Sequence, residues 1–128
     1  MFGVFVAYKV HQNQKLLSQR QLLLPLWEYM SALSNIDVTA PVIPDVIKVV
    51  NTLELVALCC EGGLVDEQVI RRTFREEFMR HFLAVKQCGL LHGLNVTGEQ
   101  LLTQNRAASA FFEKLYKEHL SQGRVRPV

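Results

Sequence analysis

The chain has 128 residues, 49% of them hydrophobic and 20% charged, with a net charge of +2. That length allows one domain around one core, and a hydrophobic content this high argues against intrinsic disorder. Lys plus Arg less Asp plus Glu gives +1 for residues 1–40, −2 for 41–65, +1 for 66–90 and +2 for 91–128, so no segment carries the uncompensated basic face of a nucleic-acid binder.

The opening segment Phe2–Val10, FGVFVAYKV, is apolar and aromatic-rich, and Lys9, His11, Lys15 and Arg20 accompany or follow it. It is about half the ~20 residues that span a bilayer. Two readings stay open: packing on the body of the protein, or an interfacial anchor or shortened membrane helix with basic residues on the cytoplasmic side. No secretory signal with a cleavage site is visible. The chain is therefore expected in the cytoplasm, with peripheral attachment to the cytoplasmic face of a membrane as an option.

Four helical blocks are expected, and no strand. The first covers about Val6–Leu33, where Leu16, Leu17, Leu23, Leu24, Trp27, Met30 and Leu33 recur at helical spacing. Pro25 lacks a backbone donor and clashes with the preceding turn, which predicts a kink or break near Leu24. Ser34–Pro44, SNIDVTAPVIP, reads as a loop.

The second block is Pro44–Cys60. Pro44 suits the first turn, Asp45 answers the helix dipole, and Gly62-Gly63 supplies the stop. Val46, Val49, Val50, Leu53, Ala57 and Cys60 fall on one wide face, and Ile47, Asn51, Glu54 and Leu58 form a stripe beside it. The helix is apolar almost all round, so it is expected to be central.

The third block starts at Asp66, an N-cap, with Glu67 in its first turn. Phe74, Phe78, Phe82 and Val85 line its inner face. Arg71, Arg72, Arg75 and Arg80 lie opposite, where Glu76 can pair with Arg80. Gly89 and Gly93 bracket its end. The fourth block opens on Thr97-Gly98-Glu99-Gln100, a capping box, and runs through Leu102, Ala108, Phe112, Leu115 and Tyr116 to a stop at Gly123. Residues 124–128 read as a frayed tail. Short connections favour antiparallel neighbours, hence an up-and-down bundle of about four helices in a single domain over residues 1–128.

Glu54 is the residue whose chemistry stands out, because a carboxylate in a buried helix is costly unless donors answer it. Structurally, it accepts bonds from the N-terminus of another helix or pairs with an Arg, with Asn51 in support. Functionally, it forms a polar site with His81 or His119 as proton partner. His81, Cys88 and His92 would share a face if the third helix continued through Gly89, and zinc accepts that ligand set, but a fourth ligand is missing. No metal is expected. The three cysteines are read as free thiols in a reducing compartment, with Cys60 and Cys88 as small core residues. No nucleophile elbow or phosphate loop is present, so neither catalysis nor a cofactor is expected.

The run Asn51-Thr52-Leu53-Glu54-Leu55-Val56-Ala57, followed by Gly62-Gly63 and then Asp66-Glu67, resembles a domain-of-unknown-function family of small bacterial helical proteins. That family's motif has the form Asn-x-x-Glu-x-x-Ala, then a glycine and an acidic helix start, and the resemblance covers about residues 45–85. It implies an all-α fold and, in many members, an N-terminal membrane helix, of which this chain holds about half. It implies no activity. The functional expectation is a non-enzymatic helical module that binds a protein partner or itself, as a homodimer, with a membrane surface as a further contact. A phage or mobile-element protein that occupies a host partner fits this class. The expected contact residues are Phe2, Val4, Phe5, Tyr8 and Trp27. The alternative is a small enzyme or metal protein that uses Glu54 with a histidine.

Overall fold

The computed structural model describes residues 19–125. Expectations that fall on Phe2, Val4, Phe5 and Tyr8, on a projecting N-terminal helix and on the tail beyond Val125 lie outside those residues. The protein is all-α. The described elements are a helix over 19–31 (α1), α2 (Ile43–Glu61), α3 (Glu67–Gln87), a hairpin of two-residue strands β1 (Leu90–Leu91) and β2 (Val96–Thr97), α4 (Gly98–Gln104) and α5 (Arg106–Val125).

This differs from four blocks without strands in three ways. The fourth block is two helices, because Asn105 leaves helical geometry at φ −101°, ψ 80°. Its side chain holds the break, donating from Nδ2 to the Leu101 carbonyl at 2.8 Å, an alternative to helical bonding that Asn offers readily. The hairpin pairs Leu90 with Thr97 and Leu91 with Val96, and Gly93 (φ 91°) and Asn95 (φ 57°) take the left-handed conformations of its turn. α5 also passes Gly123 and continues to Val125. In α1 the helix is unbroken through Pro25.

Local signals set most helix ends. α2 has Pro44 in its first turn and ends in paired backbone bonds, Gly63 N–H to the Cys60 carbonyl and Leu64 N–H to the Cys59 carbonyl. With Gly63 at φ 67° this is a Schellman stop. Asp66 caps α3 by accepting from Gln68 N–H at 2.9 Å. Thr97 and Gln100 form the reciprocal capping box at the start of α4.

One cluster of buried side chains joins these elements, with Leu53, Ile70, Phe78 and Leu115 among its most enclosed members. Arg71 reaches Glu118, Arg75 reaches Gln122 and Phe78 meets Phe111 edge-on at 4.9 Å. α3 and α5 therefore pack against each other. Gln19 donates to the Gly63 carbonyl, while Tyr29 lies beside Ile47 and Lys48, so α1 runs antiparallel to α2. Gly98 is buried where α4 crosses the end of α3. A Cβ there would sit 1.8 Å from the Val85 carbonyl oxygen, so only glycine fits.

Candidate functional site

Glu54 sits two-thirds along α2, half-buried, opposite the α4–α5 junction. Because the break at Asn105 restarts the helix, α5 presents fresh backbone donors without preceding carbonyls. Ala107 N–H donates to Glu54 Oε1 at 2.9 Å and Ala108 N–H to Oε2 at 3.3 Å. The carboxylate therefore caps the positive end of a helix about fifty residues away in sequence, where a negative charge is favoured.

Asn51 is not part of this joint. It is exposed on the outer side of α2, in a shallow depression with Tyr29, Ile47 and Leu55, so the expected polar pair is a single residue. His119 is exposed on α5, twelve residues beyond Ala107, or about 18 Å of helix rise from the Glu54 contact. His81 is buried in α3. Neither histidine has a recorded bond to Glu54. Burial holds the His81 imidazole below its ordinary pKa, reinforced by the Arg80 charge and opposed by Glu77.

The three residues weighed as metal ligands, His81, Cys88 and His92, are also dispersed. α3 stops at Gln87, so Cys88 is buried at its cap, with Sγ donating to the Ala84 carbonyl at 3.4 Å, and His92 is exposed in the hairpin turn. Among the described residues no group of three His, Cys, Asp or Glu side chains could hold a metal ion. The cysteine of the α2 core is Cys59, whereas Cys60 is half-buried beside it. Burial, with the nearby Glu67 charge, pushes the Cys60 thiol up to about 12.

Apart from Trp27, an expected contact residue, two surface features were not legible as sites in the sequence. Of the α2 stripe Ile47, Asn51, Glu54 and Leu58, only Glu54 is half-buried and the other three are exposed, as are Leu55 beside it and Trp27 (51%) and Tyr29 (52%) on α1. The inward residues of α1 are instead Leu26 and Met30. The second feature is a groove of about 650 Å³ between α3, α4 and α5. Phe82 and Phe112 stack in its wall with centroids 4.1 Å apart, Phe112 stacks in turn on Tyr116, and Leu83 and Leu120 edge it. Its only advance signal was the spacing of Ser109, Glu113, Tyr116 and Leu120, which places them along one edge of α5.

The arginines of α3 also pair differently from the expected Glu76–Arg80 bridge. Arg71 lies 3.5 Å from Glu67 and 3.8 Å from Glu118, and Arg75 lies 3.5 Å from Glu118, so these charges tie α3 to α5. Among the described residues no helix is long and apolar enough to cross a membrane.

The model of a family described as a domain of unknown function, DUF4760, matches residues 11–88. That span contains Asn51, Glu54 and Ala57 and ends at the α3 cap, before the groove-forming α4 and α5. No curated protein and no solved structure matches the chain.

Proposed function

The chain belongs to the DUF4760 family, a domain of unknown function, and from that premise we propose that it is a non-enzymatic helical interaction module. The scaffold is read as an up-and-down packing of α1, α2, α3 and α5, with α1 bent at Pro25, whose ring nitrogen has no hydrogen for the Gln21 carbonyl. The single observation that carries the reading is the group of large apolar side chains exposed together where α1 meets α2, Tyr29, Ile47 and Leu55, with Leu58 exposed one turn on along α2 and Trp27 exposed elsewhere on α1. Adjacent exposed groups of this size mark contact surfaces more often than isolated ones do. The apolar and aromatic character of Phe2, Val4, Phe5 and Tyr8 makes them further candidates for contact with a protein partner near the cytoplasmic face of a membrane. A mobile-element protein acting on a host target is accommodated by such a group. Glu54, with both oxygens engaged by backbone donors, is assigned to architecture rather than to catalysis.

Trp27 is the sole tryptophan and is exposed on α1, so its fluorescence reports on contacts made by that helix. Its emission is expected to shift to the blue when the protein meets a partner captured from its host or vesicles containing phosphatidylserine. Leu55→Glu and Leu58→Glu variants that melt like the wild type should lose that shift. Binding without any change at Trp27, or binding that survives both substitutions, would move the contact off this face and refute the reading.

A further inference from the structure

The groove between α3, α4 and α5 lies on a different set of helices from the α1–α2 group, and its charges are arranged in a self-complementary way. Its edge on α5 carries Glu113 and Lys117, four residues apart, both exposed, with the half-exposed ring of Tyr116 (47%) between them. Lys86 from α3 and Glu99 from α4 add one charge of each sign, so the groove carries no net charge to steer a strongly acidic or basic ligand.

We propose that the groove is the seat of a second copy of this chain, joined across a two-fold axis that passes α5 between Glu113 and Lys117. A two-fold contact applies the same patch twice, so a residue before the axis on one chain meets a residue after it on the other. With two α5 helices antiparallel about that point, Glu113 of each chain faces Lys117 of its partner, and the pair forms twice. The Tyr116 rings come together near the axis, where one residue of offset is about 1.5 Å of rise. Leu120 falls opposite the small side chains of Ser109 and Ala110 on the other copy, a projection meeting a recess. An unrelated apolar helix would fill the volume but leave Glu113 and Lys117 without the reciprocal pairing that a second copy supplies. The second copy satisfies charge, aromatic contact and shape with one surface, and it covers Tyr116, Leu83 and Leu120 together.

The test is a charge swap in the full-length chain, read by sedimentation equilibrium. The wild type is expected to be a dimer. Glu113→Lys alone or Lys117→Glu alone faces like charges across the axis twice, and each should weaken the dimer by more than about tenfold. Mixed together, the two variants regain opposite charges at both places and should form a heterodimer. Tyr116→Glu sets two carboxylates at the axis and should dissociate the dimer through a different contact, while helical circular dichroism confirms that each variant is folded. A monomeric wild type, as expected if residues 1–18 or an unrelated helix fill the groove, overturns the proposal. So does a dimer indifferent to the single reversals, or a mixture of the two variants that does not associate.

Discussion

Replacing Glu54 by alanine removes the side chain that accepts from Ala107 and Ala108 at the start of α5. Ala107 is 4% and Ala108 0% exposed, so water has little access to the donors left behind. Losing a side-chain cap costs about 0.5–2 kcal/mol, and a buried donor without a partner costs about 1–3 kcal/mol. Glu54 is half-buried rather than enclosed, so some water can follow the truncation, and the two figures overlap rather than add. The expected loss is about 1–3 kcal/mol, or roughly 4–11 °C in melting temperature for a domain of this size. Urea denaturation should show a lower midpoint with an unchanged slope. Glu54→Gln retains one acceptor oxygen and should fall between wild type and Glu54→Ala. Hydrogen exchange adds a local readout, because the Ala107 and Ala108 amides should lose protection ahead of the Phe78 and Val85 amides of α3. A Glu54→Ala variant that melts at the wild-type temperature, or in which those two amides exchange at the wild-type rate, would refute the reasoning.

Gly98→Ala should destabilise by about 3 kcal/mol or more, since its Cβ would meet backbone at 1.8 Å. Gly89→Ala, whose added Cβ meets nothing within 4 Å, is the calorimetric control and should lie close to wild type. Stability should fall with acid through His81. Its folded pKa is lowered from 6.5, so below pH 6.5 the unfolded chain takes up a proton that the folded chain refuses, and the loss levels off below the folded pKa. Above pH 6.5 the residue contributes no pH dependence, and urea titrations of His81→Gln should lack this acid limb. Burial raises all three thiols above the ordinary range, Cys60 to about 12, so iodoacetamide at pH 8 should leave the native protein unlabelled by mass spectrometry and modify it fully in denaturant.

Helix placement was legible because its signals are local. Asp66, the Thr97–Gln100 box, Pro44 and the Gly62-Gly63 stop each act within one or two turns, and each is seen at its place. The α4–α5 break was not legible, because Asn105 sits in an otherwise helical pattern and its effect depends on a side chain turning back to the Leu101 carbonyl. The hairpin escaped for a related reason: strands of two residues have no periodicity to read. Gly98 looked like part of a capping box, and its steric role exists only because the end of α3 lies against it.

The candidate sites divide in the same way. The sequence alone singles out Glu54 as a carboxylate in need of donors, and it carries the Asn-x-x-Glu-x-x-Ala pattern within the matched family span. It could not say that the donors belong to Ala107 and Ala108, because that partnership joins segments about fifty residues apart. It also misjudged the outer stripe of α2. An apolar residue on a helix records which faces are able to be buried, while the neighbours decide which one is. Here Val46, Val49, Val50, Leu53 and Val56 are buried in the shared core, whereas Ile47, Leu55 and Leu58 keep their exposure. The sequence by itself therefore determined the helices, most of their ends and the residue that needed an answer. The tertiary structure decided which surfaces stay open, because exposure belongs to the packing of whole elements and leaves no mark within one turn of the chain.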